Sequence, residues 1–267
     1  MNSKKKKRSK IITPVILSLV YAFLYLPIFI VVLFSFNTSK MNITFQGFTL
    51  SWYATMFQNT DLMSALLNTL IVAASCVLIS VFIGTLAAVG MFRYKFKGKS
   101  FIDNLMYIPI VIPEIVMGIS LLVFYSMIQL PTGLITLIIA HVTFSTPYVC
   151  ITVRSRIAGY DMSVEEAAMD LGASPLRTLT KVTLPIIAPG IMSGAMLALT
   201  LSLDDVIVSF FTTGVDSVTL PIYIFNKVKT GVTPDVNALS TIIILVTLTI
   251  LLISNFISKR TSKKRGL

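Results

Sequence analysis

Six stretches of this chain, at about 11–36, 66–91, 103–129, 132–153, 186–213 and 238–258, are almost wholly apolar, and their length constrains the fold more than any other feature. An α-helix rises about 1.5 Å per residue, so roughly 20 apolar residues cross a hydrocarbon core about 30 Å thick. At that depth backbone N–H and C=O groups must be satisfied within the segment, which selects helices over loops or open sheets. The expectation is an all-α, polytopic membrane protein with about six transmembrane helices. Leu130-Pro131-Thr132-Gly133, between the third and fourth, signals a tight hairpin. Only 12% of the residues are charged, about half the supply of a soluble domain.

The net charge of +11 does not describe a nucleic-acid surface, because the basic residues gather in short segments beside the apolar runs. Nineteen of the 22 Lys and Arg residues fall in segments 1–10, 92–102, 154–185 and 259–267. The bias of basic residues toward the cytoplasmic side places these segments, both termini included, in the cytoplasm. An even number of spans agrees. The organisation expected is one transmembrane domain, 11–258, between basic tails 1–10 and 259–267. The first apolar run exceeds the core of a signal peptide and no small-residue cleavage site follows it, so it reads as an uncleaved helix. Trp52, Tyr53 and Tyr223 in the outer segments 37–65 and 214–237 suit either an interfacial belt or a surface for an external partner.

The loop 161–185 carries the most specific pattern. Ser163 and Glu166 have the spacing of a capping box, which predicts a helix from Val164. Glu165 and Glu166 stand in its first turn, where the helix dipole favours acids, and Gly172 suits its end. Ser174 followed by Pro175 predicts a second helix, which Pro185 is expected to stop before the next span. The product is a short helical hairpin standing off the membrane, with Ala167 and Ala168 leaving a smooth face. Chemistry alone leaves two readings: an amphipathic hairpin at the lipid surface, or a docking element for a cytoplasmic protein.

These residues resemble the signature loop of binding-protein-dependent ABC-importer permeases, which runs Glu-Ala-Ala, three residues, Gly, nine residues, Ile-x-Leu-Pro. Glu166, Ala167, Ala168, Gly172, Leu184 and Pro185 match at the family spacing, with Val182 in place of isoleucine. The resemblance implies a type I ABC importer permease fold whose cytoplasmic hairpin begins with the coupling helix. Glu165, Glu166, Ala167, Ala168, Asp170, Gly172 and Pro185 would then form the contact with the ATPase. It also implies a bacterial inner membrane and a complex with a second homologous permease and an extracytoplasmic binding protein. ATP and Mg would be bound by two copies of a separate ATPase subunit, leaving this chain non-catalytic, with no cofactor or metal of its own. Over nearly its whole length the chain looks most like the smaller of the two permeases of spermidine/putrescine importers. That likeness rests on Pro109-x-x-x-Pro113-Glu114, Leu203-Asp204-Asp205-Val206, Pro221 and Asn237-Ala238-Leu239.

Three carboxylates lie inside apolar runs, where insertion scales put the cost of a charge at about 2.5–3.5 kcal/mol. Glu114 is about 11 residues into the third run, and Asp204 and Asp205 are in the outer half of the fifth. Read as one continuous helix, that fifth run puts Ser202, Ser209 and Thr212 around Asp205, and Thr200 beside Asp204. Two readings stay open. One is a substrate path lined by Glu114, Asp204, Asp205, Ser202 and Ser209, acidic and therefore suited to a polycation. The other is a set of hydrogen bonds and ion pairs between helices or subunits. Pro109 and Pro113 suggest bending beside Glu114. His141 reads as a packed, hydrogen-bonded side chain rather than a metal ligand, and Cys76 and Cys150 as small apolar ones.

Gly98-Lys99-Ser100 imitates the end of a nucleotide-binding loop, but Arg93 stands where its first glycine belongs, and no strand precedes it. Three function classes follow: a polyamine permease, an ABC permease for another small solute, and an ion-coupled secondary transporter whose carboxylates carry protons. The loop argues against the third.

Overall fold

The computed structural model describes residues 3–40, 43–159 and 161–264. Among them the chain is helical apart from short connections. In order come α1 (Ser3–Phe34), α2 (Ser51–Gln58), α3 (Thr60–Arg93), α4 (Lys99–Val111), α5 (Glu114–Met127), α6 (Leu134–Ile157), α7 (Ser163–Asp170) and α8 (Pro175–Thr178). A π-helical turn, Leu179–Thr183, then leads into α9 (Leu184–Asp204), followed by α10 (Ile207–Thr212), α11 (Leu220–Thr230) and α12 (Pro234–Lys264). The expected tails continue α1 and α12 as helix, from Ser3 and as far as Lys264; residues 1–2 and 265–267 lie outside the described residues.

Contacts divide the chain into two units, the first reaching Met63 and resuming at Asn226, the second Ser64–Phe225. In the first, Asn37 organises the connection from α1 to α2. Its Nδ2 donates to the Thr44 carbonyl at 2.8 Å and its Oδ1 accepts from the Gln46 N–H at 2.8 Å. The Asn37 carbonyl accepts the Trp52 indole N–H at 2.6 Å, and the Tyr53 hydroxyl lies 2.9 Å from Ser35 Oγ. Trp52 and Tyr53 are therefore held by bonds within this connection. Asn59 donates to Asp235 at 2.7 Å and ties α2 to the start of α12. Residues 13–34 of α1 are apolar with none of that surface buried in the chain, so lipid or a neighbouring subunit must cover it.

In the second unit α6 is central, packed against α3 on one side and α9 on the other. Val149, Cys150 and Val153 meet Ala88, Ile187 and Ala198 there. Glycines set the approach: a Cβ on Gly190 would lie 2.6 Å from Arg156 Cβ, and one on Gly84 would lie 2.9 Å from Val149 Cβ. Helices in lipid gain association from such close packing rather than from the hydrophobic effect.

The third apolar run is not one helix. α4 and α5 meet at 110° across Ile112 and Pro113. Their ties to α6 fit a single, bent crossing. At one end Asp103 of α4 pairs with Arg154 of α6, and at the other the Tyr125 hydroxyl of α5 donates to the Thr136 carbonyl of α6 at 3.1 Å. Residues 136 and 154 of a straight helix are about 27 Å apart. Among the described residues four helices are long and apolar enough to cross a membrane, and the spans number five if the bent pair counts as one. α12 is the place for the sixth expected span; its side chains are described as far as Thr249.

Two further expectations need correction. The fifth span ends at Asp204 instead of running to residue 213, because the backbone becomes extended at Asp205 (φ −65°, ψ 123°). Pro185 does not stop the second hairpin helix. Residues 175–204 form one rod, in which the Leu184 N–H bonds to the Leu179 carbonyl, five residues back. That wider turn takes up the missing N–H and the ring of the proline that follows. The hairpin's second helix is thus the beginning of a span.

Gly190→Val should lower the thermal unfolding midpoint in detergent through an overpacking cost of about 1–3 kcal/mol. Gly90→Ala, where a Cβ meets nothing within 4 Å, should leave it unchanged or raised.

Candidate functional site

Two spans are broken, and both breaks open on the same cavity. At the first, Pro113 pushes Ile112 out of the helical region (ψ 133°) and has no N–H to offer α4. The Pro113 carbonyl then accepts the Val116 N–H at 2.9 Å, and α5 starts with Glu114, its carboxylate at the positive end of the helix. At the second, Asp205 accepts the backbone N–H of Val208 at 3.2 Å and of Ser209 at 2.7 Å. The carboxylate thereby caps α10. Asp side chains compete for backbone donors in this way, which is why Asp204-Asp205 before an apolar run ends one helix and begins another.

The cavity between the breaks has a volume of about 340 Å³ and is lined by Glu114, Asp204 and Asp205, with Met117, Phe144 and Tyr148 among the apolar and aromatic walls. Phe144 lies 8 residues from Thr136 and 10 from Arg154 on α6, about 12 and 15 Å from the two ends, so the cavity sits near mid-depth. Glu114 and Asp204 are exposed, whereas the Asp205 side chain is only 6% exposed.

Ser202 and Ser209 do not line this space. Both are buried and bond to His141, whose Nδ1 is 2.7 Å from Ser202 Oγ and whose Nε2 is 2.9 Å from Ser209 Oγ. Asp205 Oδ2 is 3.6 Å from the same Nε2. One imidazole on α6 therefore joins the end of α9 to α10 through Ser202 and Ser209, with the Asp205 carboxylate beside it. Sequence reading had His141 as a hydrogen-bonded core residue and did not connect it to the acidic pair. The signal was there only as polar spacing, since Ser202 and Ser209 flank the Asp pair.

The hairpin stands at the opposite side of the second unit from residues 216–220, where the Leu220 N–H donates to Thr69 Oγ1 at 2.7 Å. Its first helix does not use the expected Ser163 cap. Asp161 instead accepts the Ser163 N–H at 3.0 Å, and that bond holds the Asp161 carboxyl below its usual range. This cap persists at neutral pH and is lost only as pH falls through the depressed value. Gly172, at φ +88°, ends the helix: its N–H reaches the Met169 carbonyl at 2.9 Å and the Ala173 N–H reaches the Ala168 carbonyl at 3.0 Å. Ser174 caps the next helix through the Arg177 N–H, with Pro175 first, as the sequence predicts.

Glu165 departs from its expected place on the docking face. It is 4% exposed, accepts from Arg93 at 2.6 Å and from Thr183 Oγ1 at 2.6 Å, and so fastens α7 to the end of α3 and to the π-helical turn. Glu166, Ala167, Asp170 and Gly172 remain exposed and Ala168 is half-buried; Pro185 is also exposed, at the start of α9. Leu171, 91% exposed, adds an apolar residue to that face which sequence reading did not single out.

A polar mid-depth cavity between broken spans, with a helical hairpin anchored at one end, defines a polytopic membrane permease. Residues 80–266 match the binding-protein-dependent transport system inner membrane component family, and the chain belongs to that family, the inner-membrane permeases of ABC importers. It is 41% identical over 247 residues to the spermidine/putrescine transport system permease protein PotC of Shigella flexneri, covering 92% of this chain and 94% of that one. It is 40% identical over 237 residues to the putrescine transport system permease protein PotI of Escherichia coli strain K12, covering 86% and 84%. In fold it is similar to a chain of a bacterial ABC transporter that imports the acidic polysaccharide alginate, with a TM-score of 0.72 at 15% identity, covering 97% and 98% of the two chains.

His141→Leu should remove the imidazole partner of the buried Ser202 and Ser209 hydroxyls, at about 1–3 kcal/mol for a hydroxyl left unsatisfied. The expected result is a lower unfolding midpoint in detergent, with partial recovery in His141→Gln.

Proposed function

We propose that this permease passes polyamines of the spermidine and putrescine type through the cavity at the two helix breaks. One observation carries the reading: Glu114, 90 residues before Asp204, borders a single mid-depth space with Asp204 and Asp205. Carboxylates at that depth are costly, and ammonium groups neutralise them while supplying donors to their oxygens. The names of the relatives PotC and PotI support the same substrate class. Met117, Phe144 and Tyr148 give the methylene segments of such a substrate an apolar surface.

On this reading a second, homologous permease completes the path and an extracytoplasmic binding protein delivers the polyamine. The exposed face of the hairpin, with Glu166, Ala167, Asp170, Leu171 and Gly172, docks on an ATPase subunit present in two copies, which binds ATP and Mg. The basic end of the second unit and both termini face the cytoplasm, as the distribution of Lys and Arg requires. Movement of the docked hairpin reaches the cavity along the rod 175–204, whose last residue is Asp204. Glu165, bonded to Arg93 and Thr183, makes α3 and the rod move with α7. This chain contributes path and coupling, and the energy comes from the ATPase.

The test is uptake of labelled spermidine by cells lacking the chain and complemented with wild type, Asp205→Asn, Asp204→Asn or Glu114→Gln at matched membrane levels. Asp205→Asn removes the charge and one of the two acceptors that cap α10, so Asp204→Asn and Glu114→Gln are the variants that isolate the charge. Wild type should restore uptake, and each amide should cut it by about tenfold, the value of one charge-assisted contact. Full uptake in all three variants would contradict the acidic path.

A further inference from the structure

A second cavity, also about 340 Å³, lies where the ends of α3, α4 and α6 meet, and it is lined by Lys99, Tyr107, Arg154 and Ser155 together with Phe92 and Ile151. It shares no residue with the carboxylate cavity. Its chemistry is opposite: Lys99, Arg154 and two hydroxyl-bearing residues share the lining with apolar side chains.

The Arg154 guanidinium is partly used, since it pairs with Asp103. Lys99 is not neutralised in this way; its ammonium donates only to the Tyr94 carbonyl, at 3.4 Å, and among the described residues no carboxylate pairs with it. An ammonium so placed beside a guanidinium and the Tyr107 hydroxyl suits a phosphate oxygen, because each of these groups can donate and the net charge is positive; the Ser155 hydroxyl already donates to the Ile151 carbonyl. Position selects the rest of the ligand. Arg154 lies in the last turn of α6 and Lys99 opens α4, so the site stands at the boundary where spans leave the hydrocarbon. The adjoining loop interleaves Lys95 and Lys97 with exposed Tyr94 and Phe96, an arrangement for the headgroup layer of an anionic leaflet. A soluble phosphate would gain nothing from Phe92, which is 39% exposed, or from Ile151, whereas an acyl chain would cover both.

We infer that this cavity is a binding site for an anionic glycerophospholipid, with the phosphate on Lys99 and Arg154 and the start of an acyl chain against Phe92 and Ile151. The lipid would join the bent span to α3 and α6 at the basic end, close to the Arg93–Glu165 pair that fastens the hairpin.

Retention of phosphatidylglycerol by the purified transporter complex, measured by native mass spectrometry against phosphatidylcholine, tests the inference. Wild type should keep phosphatidylglycerol in preference to phosphatidylcholine. Lys99→Gln should lower that retention about fivefold, the weight of one cation near an anionic headgroup. The paired change Asp103→Asn with Arg154→Gln, which leaves no orphaned charge, should lower it further. Arg177→Gln, an equal loss of charge on the exposed α8, should not change it. Equal retention of the two lipids by wild type overturns the inference without recourse to any variant. So does undiminished retention by a folded, monodisperse Lys99→Gln. Displacement of the lipid by excess inorganic phosphate alone would make this a free-anion site instead.

Discussion

Everything in the second unit follows from two places where the backbone leaves the helix at mid-depth. In hydrocarbon an unpartnered N–H or C=O costs several kcal/mol, so a broken span survives only where protein or a wet cavity satisfies it. Pro113 favours one break, with Ile112 before it extended, and the Asp205 carboxylate stabilises the other by taking N–H donors from the first turn of α10. Placing the two breaks against one cavity solves the solvation problem once for both. The same solution leaves Glu114 and Asp204 facing that cavity. Solvation of the breaks and the acidity of the site are therefore one feature seen from two sides.

His141 makes the second break durable. Its two ring nitrogens are both engaged, by Ser202 before the break and Ser209 after it, and its ring is buried at 1% exposure. The link to the hairpin is mechanical. Residues 175–204 form a rod about 45 Å long that starts beside the exposed face of the hairpin and ends at the cavity. The Arg93–Glu165–Thr183 cluster ties the hairpin to that rod and to the end of α3.

The sequence was most informative where a single local rule decides the structure. Apolar length located the spans, Gly172 marked the end of α7 through a left-handed backbone, and Ser174-Pro175 marked the next start. It was less informative where two local signals compete or where a long-range partner decides. Ser163 and Asp161 both qualify as caps, and only the geometry shows that Asp161 takes the bond. A lone Pro185 reads as a stop unless a π-helical turn lies just before it. Glu165 and Glu166 are equivalent in sequence, yet Arg93, 72 residues away, draws one inward and leaves the other exposed. The meeting of Glu114 with Asp204 and Asp205 depended on chain topology that no local pattern encodes.

The central claim is that substrate occupies the space between the two breaks. A cysteine at Met117, which lines that space without carrying charge, reports on it directly, since Cys76 and Cys150 are both buried. The measurement is its rate of reaction with a small cationic thiol reagent in the assembled, transporting complex, with and without spermidine. Occupancy of the cavity predicts reaction in the absence of spermidine and slowing of about tenfold in its presence, as when roughly nine sites in ten are filled. A rate that spermidine does not change would place the polyamine path elsewhere in the complex.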